Sequence, residues 1–181
     1  SALEQVNQFK VPLEKTKGKL FELKTLYSDS INKALKISIE RNLEEIKGTT
    51  VIICDVSGSM HTPISGGKRY GSVRTSFEVA LILGLMIKKQ SKNSEFYIFS
   101  SPGYFSSECY IKVDLKEQQN NIIEEMKYLK DQANALGGGT DFPYNIILEK
   151  VKKNQKVDNF VILSDMMISD GYTDISRDSN L

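Results

Sequence analysis

Residues 49–59 read TTVIICDVSGS and carry the strongest structural signal in the sequence. Its first part, 49–54, is a continuous apolar and β-branched run that is too short for a buried helix, so it predicts a strand covered on both faces. Directly after that strand, Asp55, Ser57 and Ser59 place oxygen-bearing side chains at every second position. Because ligands in α/β sheets sit at the carboxyl ends of strands, the stretch predicts a binding site as well as a fold.

Outward from this stretch, segments of strand character alternate with segments of helical periodicity. The predicted strands are 49–54, 95–100, 109–113 and 157–163. The predicted helices are 31–46, 73–89, 115–129 and 143–151. This alternation predicts an α/β fold of three layers, with a mostly parallel central sheet and helices on both faces.

Composition narrows the class of protein. The chain of 181 residues is long enough for one domain with a hydrophobic core. A net charge of +1 excludes electrostatic attraction of the whole domain to nucleic acid. Cys54 and Cys109 lie in strand-like runs and are expected to be buried free thiols, as in an intracellular protein. Since no apolar run is long enough to cross a bilayer, no membrane partner is expected.

Two further polar segments are predicted to lie close to Asp55, Ser57 and Ser59. One is the loop Gly137-Gly138-Gly139-Thr140-Asp141 before a predicted helix, and the other is Ser164-Asp165 after the last predicted strand. Carboxylate and hydroxyl oxygens are the ligands of a hard cation such as Mg²⁺. Thr140 is also suited to cap the following helix, and the stretch after Asp55 to a polar turn, two uses that need no metal.

In these elements the chain resembles the von Willebrand factor A family and its metal-ion-dependent adhesion site. The resemblance implies that Ser57, Ser59 and Thr140 are direct ligands, whereas Asp55 and Asp165 act through waters or adjust to the bound state. The implied cation is Mg²⁺, with Mn²⁺ or Ca²⁺ as substitutes. An acidic group of a partner then completes the coordination, and on charge grounds an RNA phosphate would serve equally well.

Within that family the chain is most similar to the module of TROVE-type RNA-binding proteins, the group of the Ro ribonucleoprotein autoantigen and the telomerase- and vault-associated protein. The segments that carry this likeness are 31–39, 80–87 and 157–163. It implies a component of a ribonucleoprotein in the cytoplasm or nucleus, with RNA held mainly by a neighbouring domain. The expected division is 1–47 as linker and lead-in helix and 48–181 as the A-like domain.

The lead-in helix is expected to begin after Ser28-Asp29-Ser30, which offers N-caps, and to end at Gly48, with an irregular segment at 1–27. Two features depart from the family pattern. Only sixteen residues follow Asp165, so the A domain is expected to be incomplete at its C-terminus. A long insertion, 61–72, brings Lys68, Arg69 and Tyr70, which are expected on the rim of the metal face as contacts for RNA or a partner.

Two other functions remain open beside the binding module. A Mg²⁺-dependent phosphoryl-transfer enzyme is disfavoured, because an aspartyl nucleophile of that kind needs a second aspartate where Ser57 stands, and no base is recognisable. The chain is therefore expected not to be an enzyme. A scaffold that keeps the fold without the metal is the other alternative.

Overall fold

The structure, a computed structural model, describes residues 17–64, 75–104, 107–115 and 121–167. Its helices are α1 (Lys17–Asn42), α2 (Ser76–Gln90), α3 (Ile122–Ala133) and α4 (Tyr144–Lys152). Its strands are β1 (Ile46–Asp55), β2 (Ser91–Phe99), β3 (Tyr110–Val113) and β4 (Asn159–Leu163). A 3-10 turn, Gly58–His61, follows β1. In this part of the chain, no helix is long and apolar enough to cross a membrane.

The sheet has the order β3-β2-β1-β4. Strand β1 is central and pairs in parallel with both β2 and β4, whereas β3 pairs antiparallel with β2. The prediction of a mostly parallel sheet around 49–54 is therefore confirmed. Since residues 50–57 are all buried, the apolar run has the two-sided cover that its composition indicated.

Alternating residues of β1 pack against helices on opposite faces of the sheet. Ile52 and Cys54 belong to a large cluster with the buried side chains of α2 and α3. Val51 and Ile53 form a smaller cluster on the other face, which Ile146 of α4 covers. Helices on both faces make the three layers that the sequence predicted.

The first helix corrects one prediction. Helix α1 begins at Lys17 and ends at Asn42, so the expected start after Ser28-Asp29-Ser30 is wrong. The Ser30 hydroxyl donates to the Leu26 carbonyl at 2.7 Å, four residues back in the same helix. Because such a bond lets a serine sit inside a helix, its cap-like character was misleading.

Gly48 does not end a helix, which corrects a second prediction. It lies within β1 at φ +83°, at a register shift between Ile46 and Thr49. A Cβ at Gly48 would lie only 2.4 Å from the Asp158 carboxylate, which itself accepts the Thr49 N–H at 2.8 Å. A glycine is thus required at this bulge, because the Asp158 carboxylate packs directly against the backbone there.

The other helices and strands begin or end up to several residues away from the predicted positions. Strand β2 begins at Ser91, and α3 begins at Ile122, with 116–120 outside the described residues. Cys54 is fully buried, and burial raises the pKa of its thiol, as expected of an inert core cysteine. Cys109 is free but only half-buried and precedes β3, so its expected burial in a strand is wrong.

Candidate metal site

Three strand ends meet at one edge of the sheet. Asp55 is the last residue of β1, and the parallel pairing of Cys54 with Leu163 brings Ser164 to the same level beyond β4. On the other side, Val56 donates its N–H to the carbonyl of Phe99 at the end of β2, at 2.9 Å. The loops that leave β1, β2 and β4 therefore start next to one another.

Asp55 is fully buried, and both of its carboxylate oxygens accept hydrogen bonds. Oδ1 accepts the backbone N–H of Ser57 at 2.9 Å, and Oδ2 accepts the hydroxyl of Ser164 at 2.7 Å. These bonds orient the carboxylate and leave it little freedom to become a direct ligand. The arrangement is compatible with the water-mediated role that the family resemblance implies for this residue.

The hydroxyl oxygens of Ser57 and Ser59 lie 3.2 Å apart. Adjacent ligands of an octahedral Mg²⁺ lie about 2.9 Å apart, given metal–oxygen distances of about 2.0–2.1 Å, and those of Ca²⁺ about 3.4 Å. The pair therefore has the spacing of two neighbouring corners around a hard divalent cation. Gly58 between them approaches the next loop so closely that a Cβ would lie 3.0 Å from the carbonyl oxygen of Gly138.

The glycine loop is attached to the end of β2 by two serines. The Ser100 hydroxyl lies 2.6 Å from the carbonyl oxygen of Gly137 and 2.7 Å from that of Gly139. Ser101 exchanges backbone bonds with the same two glycines, at 2.8 and 2.9 Å. These contacts place the loop beside the Asp55 turn and bury Thr140 at its end. Sequence reasoning missed both serines, although they follow a buried strand as Asp55 does.

Asp165 is half-buried and follows Ser164. Its Oδ1 accepts the N–H of Met167 at 3.1 Å, and the residue that bonds Asp55 is Ser164 rather than Asp165. The structure thus joins Asp55, Ser57, Ser59 and Ser164 by hydrogen bonds, with Asp165 one residue beyond this network. The predicted rim residues 68–70 lie outside the described residues.

Among the residues that the structure describes, neither Asp55 nor Asp165 has a basic partner, since no ion pair joins them to a lysine, arginine or histidine. Asp55 is fully buried, and a buried carboxylate without a compensating charge is unfavourable, so a divalent cation beside it would stabilise it. The described residues contain no cluster of three or more His, Cys, Asp and Glu side chains that could bind a metal ion. Hydroxyl oxygens would therefore have to supply the remaining ligands.

No family model and no curated protein matches this sequence. Among solved structures, the chain is similar to the crystal structure of the Ro (RSR) protein of Deinococcus radiodurans, with a TM-score of 0.57 and 18% sequence identity. The similarity covers 80% of this chain and 26% of that chain. The chain has the fold of part of a Ro protein.

This likeness confirms the von Willebrand factor A-like fold that the sequence predicted, with three layers around a mostly parallel sheet. The chain spans about a quarter of the length of the Ro protein. At this level of identity the similarity to Ro concerns the fold. It does not test the individual site residues, whose ligand roles stay predictions.

Proposed function

We propose that this chain is a divalent-metal-dependent binding module of a ribonucleoprotein component, which engages an acidic side chain of a protein partner at the metal. The observation that carries the proposal is the buried network at the carboxyl edge of the sheet. There, two hydroxyl oxygens lie 3.2 Å apart beside a fully buried carboxylate that has no basic partner among the described residues. Burial of that kind favours a cation as the missing charge.

In this proposal Ser57, Ser59 and Thr140 contact the cation directly, and Asp55 and Asp165 act through its waters. Mg²⁺ is the expected ion, with Mn²⁺ or Ca²⁺ as substitutes, because it takes oxygen ligands and retains several waters. Two carboxylates roughly balance its charge, while the hydroxyls are neutral. When bound, the cation supplies a Lewis-acidic position at which an external carboxylate can replace a water.

The surface beside Asp165 favours a protein over an RNA phosphate as the partner at the metal. Met166 is 76% exposed and Met167 is 67% exposed, and both follow Asp165 directly. Exposed apolar side chains next to a site are typical of protein contacts, whereas contacts to phosphate are made by charged and polar groups. The expected rim of Lys68, Arg69 and Tyr70 remains a prediction, since it lies outside the described residues.

The RNA part of the proposal rests on the likeness to TROVE-type RNA-binding proteins, supported at the level of the fold by the similarity to Ro. We propose that RNA is bound mainly by a neighbouring domain of the parent protein, in the cytoplasm or nucleus. The net charge of +1 supports this division, because few phosphates can be neutralised by the chain itself. The chain is proposed to have no enzymatic activity, because Ser57 stands where an aspartyl-nucleophile enzyme of this kind needs a second aspartate.

Calorimetric titration with Mg²⁺, Mn²⁺ and Ca²⁺ tests the metal. Asp55→Asn keeps the shape of the side chain and removes its charge, so we expect divalent binding to fall at least a hundredfold while thermal unfolding stays cooperative. Asp29→Asn is the matched control on the exposed surface of α1 and should bind as the wild type does. Unchanged affinity in Asp55→Asn would refute the site, and absence of binding in the wild type would favour the metal-independent scaffold.

A further inference from the structure

Ser164 makes two hydrogen bonds whose directions are both determined. Its hydroxyl lies 2.7 Å from Oδ2 of Asp55 and 3.0 Å from the backbone nitrogen of Met166. The N–H of Met166 donates to the hydroxyl oxygen. A hydroxyl has one proton, and the carboxylate can only accept, so that proton points to Asp55. The bond therefore joins the end of β1 to the turn after β4 in one orientation.

The turn after β4 depends on this hydroxyl. Met166 lies at φ +64°, in the left-handed region that residues other than glycine and asparagine rarely adopt. The bond from its N–H to Ser164 and the bond from the N–H of Met167 to Asp165 span this position. Both are side-chain-to-backbone bonds over two residues, which are typical of tight polar turns. Together they set the direction in which the Asp165 carboxylate leaves the turn.

We propose that Ser164 is a positioning residue, which holds the Asp55 and Asp165 carboxylates in register for the cation without contacting it. This inference rests on the metal site proposed above. The pairing of β1 with β4 aligns the two backbones, because Cys54 lies opposite Leu163. Alignment of backbones alone leaves each side chain free to rotate. The Ser164 hydroxyl, together with the Ser57 N–H, fixes the Asp55 carboxylate, and it also shapes the turn that carries Asp165.

A purely structural role would be to satisfy a buried carboxylate, and a second serine separates the two cases. Ser91 is buried at the start of β2, at the opposite end of the sheet, and donates its hydroxyl to the Ile87 carbonyl at 2.8 Å. Ser91→Ala therefore removes a comparable hydrogen bond far from the site. A structural role predicts similar consequences for both serines, whereas a positioning role predicts a change in metal affinity for Ser164 alone.

The experiment is a titration of the wild-type chain and three variants with Mg²⁺ and Mn²⁺, at a temperature at which thermal unfolding shows each of them folded. We expect Ser164→Ala to weaken binding by 10–100-fold, as is usual when a residue that orients a metal ligand is removed. Ser164→Thr keeps the hydroxyl and should restore affinity to within about threefold of wild type. Ser91→Ala should lower the unfolding temperature and leave affinity unchanged.

Each contrary result has a distinct meaning. If the wild type binds metal and Ser164→Ala binds it equally well, the positioning role is wrong and the metal site stands. If Ser91→Ala weakens binding as much as Ser164→Ala does, the effect is one of stability and the positioning role is again wrong. If the wild type binds no divalent metal, the proposed function and this inference fail together.

Discussion

Gly58 donates its backbone N–H to the carbonyl oxygen of Gly138 at 2.9 Å, and this bond joins the Asp55 turn to the loop that ends at Thr140. The two segments come from opposite halves of the domain. Their contact is backbone to backbone, so it depends on how closely the chains approach rather than on the chemistry of a side chain. The proposed ligands Ser57, Ser59 and Thr140 depend on it for their relative positions.

This contact predicts different outcomes for two glycine substitutions. A Cβ at Gly58 would lie 3.0 Å from the Gly138 carbonyl oxygen, whereas a Cβ at Gly138 would meet nothing within 4 Å. We therefore expect Gly58→Ala to push the loops apart and to weaken divalent binding by about tenfold, the lower range for disturbed ligand orientation. Gly138→Ala should bind normally. Equal affinities in calorimetry would show that the loop spacing does not matter for the metal.

Gly48 predicts a large effect on stability away from the site. Its φ of +83° disfavours any side chain, and the Asp158 carboxylate occupies the space of a Cβ. We expect Gly48→Ala to lower the free energy of unfolding by about 2 kcal/mol or more in urea denaturation. Gly18→Ala is the control, because that helical glycine has open space around it and should stabilise the chain by about 0.5–1 kcal/mol. Unchanged stability in Gly48→Ala would contradict the bulge.

Glu95 predicts a dependence of stability on pH. Burial alone would raise the pKa of its carboxyl, but hydrogen bonds from Lys150, Tyr97 and Lys112 outweigh burial and lower that pKa to about 2. Because the folded-state pKa lies below the usual value of 4.5, this stabilisation is complete above pH 4.5 and is lost as the pH falls towards 2. Glu95→Gln should therefore be less stable than wild type at pH 7, and the difference should shrink in acid.

Urea denaturation between pH 7 and pH 3 measures this difference, which we expect to be about 1–2 kcal/mol at neutral pH. Glu149→Gln is the matched control, since Glu149 pairs with Lys153 on the exposed surface of α4 and such pairs contribute little. A pH-independent difference for Glu95→Gln would mean that its charge does not stabilise the fold.

The expected position of Lys68 and Arg69 on the rim of the metal face leads to a prediction about RNA binding. With a net charge of +1, its RNA affinity should be low and should fall steeply as salt rises. Lys68→Ala and Arg69→Ala should each lower this weak RNA affinity further. Filter binding at low and moderate salt measures this, and tight binding that salt does not weaken would assign RNA recognition to the chain itself.

The α/β class, the buried strand at 49–54 and the loops that carry the proposed ligands could be predicted from the sequence alone. A strand that is buried on two faces must be continuously apolar, and a binding site at a strand end places polar side chains directly after it. Both features are visible in the sequence. The start of α1 escaped prediction, since Ser30 can cap a helix or lie within one, and the packing of the helix decides between these.

Three contacts could not be predicted from local patterns: the Asp158 carboxylate lies against the backbone at Gly48, the Ser100 hydroxyl holds the glycine loop, and the Ser164 hydroxyl bonds Asp55. In each case the two partners are far apart in sequence. Their meeting depends on the order β3-β2-β1-β4 and on the register of the strands. A local pattern reports what one residue prefers, whereas a hydrogen bond across the sheet exists only when the pairing of strands has brought donor and acceptor within about 3 Å.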